Sequence, residues 1–198
     1  MRKPLQLKLV MVGDNCAGKT SLLIRYTTKQ YQSDQVPNIF ENNSQKITLD
    51  GTEGYLGLWD TCVEFEYDRL RPLNYPQTNV FLLCYAIAQH YGSDCCHTQI
   101  KEFWVPEVKR HCPEVPLLLV GTKSDLRREP GKRQHPLMGY DEGVELAKEI
   151  GAVGYYECSA MSGEGVEEVF DRAAELAYRH YLIPDVPPKR LKRQCIVL

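Results

Sequence analysis

The chain has 198 residues, 43% of them apolar and 25% charged, enough for one domain with a full core and ordinary for a soluble protein. No apolar run approaches bilayer length, the longest being Val80 to Ala88, and a formal charge of -2 argues against a general nucleic-acid binder. Eight cysteines are scattered without a CxxC pair, and Met1-Arg2-Lys3-Pro4 leads into a run broken by Lys8, so reduced thiols and no export signal are expected.

The first predicted element is Leu5 to Val12, a near-continuous apolar run expected of a strand covered on both faces. It runs into Gly13-Asp14-Asn15-Cys16-Ala17-Gly18-Lys19-Thr20 and then Ser21-Leu22-Leu23-Ile24-Arg25-Tyr26. A glycine-framed GxxxxGK[ST] between a strand and a helix makes a ring of backbone N–H donors at a helix N-terminus, which fits the phosphates of a nucleotide. Lys19 is expected to reach the β- and γ-phosphates as a mobile cation, and the Thr20 hydroxyl, a hard oxygen, to sit on Mg2+.

Further along, Asp50-Gly51 separates Gln45 to Leu49 from Tyr55 to Trp59, a hairpin signal that makes one edge strand antiparallel. Val80 to Ile87 and Val115 to Val120 read as buried parallel strands. Between Ala88 and Gln99, the group His90, Cys95, Cys96 and His97 offers four potential metal ligands, but adjacent cysteines rarely converge on one tetrahedral zinc. That stretch reads as a polar loop with exposed thiols. From Gly165 to Tyr181, Val166, Val169, Phe170, Ala173, Ala174, Ala177 and Tyr181 recur at helical spacing and mark a core-facing helix. The series predicts an α/β fold with a doubly wound, mostly parallel six-stranded sheet and one antiparallel edge strand. Its ligand crevice would lie at the carboxyl ends of the strands.

Two motifs fall at such strand ends. Thr122-Lys123-Ser124-Asp125 follows Val115 to Gly121, and Cys158-Ser159-Ala160 follows Tyr155-Tyr156-Glu157. A carboxylate at Asp125 can accept paired hydrogen bonds from the N1 and N2 edge of guanine, which adenine cannot supply. The Lys123 stem can cover the ring, and backbone N–H groups of the Cys-Ser-Ala turn can meet guanine O6.

With these residues in place, the chain resembles a small GTPase of the Ras superfamily, and more closely the Rho family, over nearly its whole length from Leu7. Leu56-Gly57-Leu58-Trp59-Asp60-Thr61, Tyr67-Asp68-Arg69-Leu70-Arg71-Pro72-Leu73, Trp104-Val105-Pro106-Glu107-Val108 and Thr122 carry the Rho likeness. The resemblance implies GTP or GDP with Mg2+ as cofactors. It places a first switch around Val36 to Asn42, a second from Asp60 to Leu73, Tyr31 against the guanine, and Asp60 holding Mg2+ through a water. It further implies effectors and exchange factors docking on residues 35–43 and 62–75, a prenyl-binding chaperone of the GDI type, and a monomer.

The chain departs from that family around one phosphate. Asn15 stands where the family has a glycine, Asn38 where a threonine meets Mg2+, and Val63-Glu64 where a glycine and the water-orienting glutamine stand. A side chain at Asn15 occupies room needed by catalytic groups, and Asn38 offers an amide oxygen from one atom further out. Val63 lacks the torsional freedom of glycine, and an ionised Glu64 at the catalytic position donates no hydrogen bond. A partner-supplied arginine is worth about 10^3 to 10^5 in rate in such enzymes, so blocking it forfeits roughly 4 kcal/mol or more. Binding without efficient turnover is expected. Three readings follow: a cycling GTPase, a poorly hydrolysing nucleotide-bound docking module, and an ATP-dependent P-loop kinase, the last disfavoured by Thr122 to Asp125 and the lack of a lid-like segment. Leu126 to Leu137, holding Pro130-Gly131 and Pro136, is shorter than the usual Rho insert helix, and Met161 replaces a lysine that commonly follows Ser-Ala.

Residues 1–183 read as the nucleotide-binding domain and 184–198 as a tail. In the tail Lys189, Arg190, Lys192 and Arg193 face only Asp185, a net +3 that leaves -5 on the rest. Cys195-Ile196-Val197-Leu198 is a CaaX box whose final Leu favours geranylgeranylation of Cys195. Lipid plus cations supplies two signals for an anionic membrane, so a cytoplasmic protein peripheral on the cytoplasmic face, at the plasma membrane, is expected.

Overall fold

The computed structural model describes residues 4–31, 43–61, 70–88, 90–91, 94–128 and 137–183. The strands are β1 (Leu5–Val12), β2 (Asn43–Leu49), β3 (Thr52–Trp59), β4 (Val80–Ala86), β5 (His90–Tyr91), β6 (Asp94–Cys95), β7 (Leu117–Thr122) and β8 (Tyr155–Glu157). The helices are α1 (Lys19–Thr28), α2 (Cys96–Gln99), α3 (Val105–His111), α4 (Tyr140–Ile150) and α5 (Val166–Leu182). Among the described residues, six strands form one sheet in the order β2-β3-β1-β4-β7-β8, and only β2 runs antiparallel to its neighbour.

Period-two alternation explains why the central strands read as unbroken apolar runs. Leu7, Leu9 and Met11 of β1 join Leu82 of β4 and Val120 of β7 against Leu22 and Leu23 of α1 and Val169 and Phe170 of α5. Val10 and Val12 point the other way, joining Phe81, Leu83 and Leu119 against Trp104, Val108, Leu146 and Ile150. Both faces are covered, so both sets must be apolar. Stacking of Tyr26 on Phe170, centroids 3.9 Å apart, ties α1 to α5. The β2–β3 turn forms at Asp50 (φ 49) and Gly51 (φ 73), the paired positive angles of a two-residue hairpin turn.

Three expectations are corrected. The third parallel strand begins at Leu117, not Val115, because Pro116 has no N–H and the Val115 N–H turns back to the Cys112 carbonyl at 3.3 Å. It continues through Gly121 to Thr122, whose hydroxyl is satisfied inside the fold. The stretch read as a loop between Ala88 and Gln99 instead holds the antiparallel pair β5–β6, with His90 opposite Cys95, and then α2.

Beyond α2 the chain makes a π-helical turn over Ile100–Trp104 before α3. Pro106 explains it. Proline has no N–H for the Glu102 carbonyl, and the Val105 N–H reaches back to the Ile100 carbonyl, five residues away. No helix among the described residues is long and apolar enough to cross a membrane.

Candidate functional site

The carboxyl ends of β1, β3, β4 and β7 open on one crevice. β1 delivers the chain to Gly13, where φ is 132 and an added Cβ would lie 2.0 Å from the Cys84 carbonyl oxygen, so only glycine fits. The loop closes with the Ala17 N–H donating to the Asp14 carbonyl at 3.3 Å, and Gly18 (φ 81) caps α1. Lys19 is buried, and its Nζ donates to the carbonyls of Gly13 at 2.8 Å and Asp14 at 2.9 Å, so the cation lies along the loop it opens. Asn15 and Cys16 are exposed on the loop's outer turn.

Next to Lys19, the Thr20 hydroxyl donates to Asp60 Oδ2 at 2.5 Å. Asp60 leaves the end of β3 and is held there by Thr61, whose hydroxyl donates to the Met11 carbonyl at 2.6 Å. Burial pushes the Asp60 carboxyl up from its usual range, against the Thr20 hydrogen bond and the Lys19 charge. Its other oxygen, Oδ1, is buried without a hydrogen-bond partner. A hydroxyl and a carboxylate with an orphaned oxygen are hard donors suited to Mg2+. Asn38, expected as a further ligand, lies outside the described residues, as do Val63 and Glu64.

At the other end of the crevice, Ser159 is fully buried and its hydroxyl donates to Asp125 Oδ1 at 2.5 Å. The Ser159 oxygen in turn accepts from the Ser162 N–H at 3.1 Å. Backbone bonds from Cys158 to Gly121 (2.9 Å) and from Ser124 to Cys158 (3.1 Å) lock the two loops together. The Cys158 thiol is buried, which pushes its pKa up and makes it a packing group rather than a nucleophile. Thr122 Oγ1 lies 2.6 Å from the Ala17 carbonyl and 3.1 Å from that of Tyr85, joining this end to the phosphate loop.

Between the two ends lies a cavity of about 130 Å³ lined by Gly18, Ser21, Tyr31, Thr122, Lys123, Asp125, Ala160 and Met161. Of the residues assigned to the base, Tyr31, Thr122, Lys123, Asp125 and Ala160 are on its wall; Cys158 and Ser159 do not line it, and Ser159 reaches it through Asp125. Met161 is on the rim, 47% exposed. A larger groove of about 1040 Å³, against Arg127, Tyr140, Tyr155 and Asp171, lies apart from these residues.

Sequence reasoning missed a second layer. Trp104 donates its indole N–H to Asp14 Oδ1 at 2.6 Å. Arg71 lies over the Trp104 ring, 4.6 Å from its centroid, and binds Glu107 in two-pronged fashion at 2.9 and 2.7 Å. Tyr75 donates a further hydrogen bond to Glu107. The motifs holding Arg71, Trp104 and Glu107 were visible in the sequence, but Tyr75 lies outside them and a contact spanning 90 residues between Asp14 and Trp104 leaves no local signal.

Among comparisons with protein families, residues 8–179 match the model of the Ras family.

Proposed function

The chain belongs to the Ras family of small GTPases, and from that premise we propose that it is a Rho-like switch that grips GTP or GDP tightly and hydrolyses GTP slowly. The observation that carries the nucleotide reading is the joining of two motifs across one cavity: Thr122 beside the Ala17 carbonyl, with Asp125 braced by Ser159 on the far wall.

Each residue has a defined task in that reading. Asp125 keeps one oxygen engaged by Ser159 and orients its carboxylate toward the base edge, where a guanine N–H pair is accepted and an adenine is left unpaired. Lys19 exchanges its loop carbonyls for phosphate oxygens, and the backbone N–H groups from Gly13 to Thr20 receive the rest. Thr20 and Asp60 would hold Mg2+, which supplies neutralisation of charge on the β- and γ-phosphates. Asn15 projects from the phosphate loop into solvent, where the family needs open space.

Slow hydrolysis rests on Asn15 together with Asn38, Val63 and Glu64. With no amide at position 64 to orient water and the Asn15 side chain standing where a partner's arginine would enter, the remaining groups would bind and neutralise without activating the nucleophile. A second reading, a docking module held in one nucleotide state, draws on the same four residues. Effectors and exchange factors would read residues 35–43 and 62–75. Residues 184–198, outside the described residues, would attach a monomer to an anionic cytoplasmic membrane surface through a geranylgeranyl group on Cys195 and through Lys189 to Arg193, with a GDI-type chaperone as carrier.

Single-turnover phosphate release tests the reading. The unaltered protein is expected to retain bound GTP, and Glu64→Gln combined with Val63→Gly to release phosphate about tenfold faster or more. Brisk release by the unaltered protein, or no gain in the double variant, counts against the assigned defect.

A further inference from the structure

Asp14 is fixed from three directions, and two belong to the phosphate loop itself. Its carbonyl accepts from Lys19 Nζ at 2.9 Å and from the Ala17 N–H at 3.3 Å. The third comes from outside the loop: the indole N–H of Trp104, at 2.6 Å from Oδ1. Trp104 is 1% exposed and Asp14 half-buried, so the donor side of this bond is shielded from competing water.

Trp104 arrives there because of the π-helical turn over Ile100–Trp104, which adds one residue to a helical turn and re-phases everything after it. It is then held on both sides. Phe103 packs edge-on against the indole at 5.0 Å, and the Arg71 guanidinium covers its face. Arg71, with a side chain 1% exposed, is itself fixed by the two bonds to Glu107, and Glu107 by Tyr75. On the surface above this buried set, Leu70 and Leu73 are 52% and 73% exposed.

We propose that Trp104 is a positioning residue for nucleotide retention: its indole N–H fixes Asp14 and so the phosphate loop, while Arg71, Glu107 and Tyr75 fix Trp104. The strength of the grip on the nucleotide then depends on how segment 70–75 is held. This inference rests on the nucleotide-binding reading above and adds to it a determinant of release that never touches the ligand.

Dissociation of a fluorescent GDP, chased with excess unlabelled GDP, tests the role in the full chain. Trp104→Phe keeps the ring under Arg71 but removes the donor, and is expected to speed release about tenfold, the scale of one hydrogen bond to a charged group. Asp14→Ala should speed it similarly, and the two together should go no faster than either, because both delete one bond. Asp14→Asn keeps an acceptor oxygen for the indole and is expected to restore slow release, which a general packing defect would not permit. If Trp104→Phe does not fold, the contrast between Asp14→Ala and Asp14→Asn decides alone. Release from Trp104→Phe or Asp14→Ala within twofold of the unaltered protein, or strictly additive effects, overturns the positioning role while leaving nucleotide binding intact. Failure of the unaltered protein to retain any guanine nucleotide overturns the underlying reading, and this one with it.

Discussion

The two ends of the crevice are built on different plans. At the base end the binding groups are braced by the chain's own permanent bonds: Ser159 to Asp125, Cys158 to Gly121, Ser124 to Cys158. At the phosphate end the same groups that should meet ligand are paired with one another, Lys19 with loop carbonyls and Thr20 with Asp60. The first arrangement is preorganised, so little is lost on binding. The second exchanges partners on binding, and its rigidity comes from further away, through Trp104 and Arg71. On the proposed reading, selectivity for the base would therefore persist while the handling of the terminal phosphate changes.

The largest expected effect tests where the rigidity of the phosphate end originates. Arg71→Ala strips a buried, two-pronged partner from Glu107 and should destabilise the fold by about 3 kcal/mol at neutral pH, measured by chemical denaturation. Burial tends to raise the Glu107 pKa, but the hydrogen bonds from Arg71 and Tyr75 bring it below the usual carboxylate range. A lowered folded pKa contributes stability above the unfolded value that disappears as pH falls through the folded one. The gap between the unaltered protein and Arg71→Ala should accordingly be widest near pH 7 and narrow below about pH 4. A gap independent of pH would detach Arg71 from Glu107.

A somewhat smaller effect isolates the base end. Asp125→Ala removes the carboxylate proposed to pair with guanine and should reduce the preference for GDP over ADP about a hundredfold in competition binding, with phosphate contacts untouched. Preserved discrimination would mean that the rest of the cavity wall, not Asp125, reads the base. Smallest is the link between the ends. Thr122→Val keeps the shape of the side chain while deleting a hydroxyl set between the Ala17 and Tyr85 carbonyls, at an expected cost of about 1 to 2 kcal/mol in thermal unfolding. If the two ends are mechanically joined there, GDP release should also quicken slightly.

How legible these features were depends on how local their causes are. β1 and β4 were readable because burial on both faces forces an apolar run, and the β2–β3 turn because Asp-Gly supplies its dihedrals. The phosphate loop was readable because Gly13 has no space for a side chain and Gly18 needs a positive φ. The start of β7 was misplaced because a local rule, Pro116 without its N–H, was outweighed in the reading by hydropathy. Its end was misplaced because Thr122 finds partners on the phosphate loop and at the end of β4. The β5–β6 pair escaped notice because two-residue strands carry no periodicity. Trp104, Arg71 and Glu107 were legible as a motif but not as a brace, since their relation exists only after the sheet is assembled.

Gly13 and Asn15 sit two positions apart under opposite rules. The first is walled in by the backbone of β4, where an added side chain would collide with the Cys84 carbonyl; the second is exposed, so its side chain is not confined by the core. Architecture therefore polices one position and leaves the other to selection on chemistry alone. If the proposed slow hydrolysis holds, the timed off-signal would have been given up at a position the fold leaves unconstrained, and the protein's output would follow its abundance.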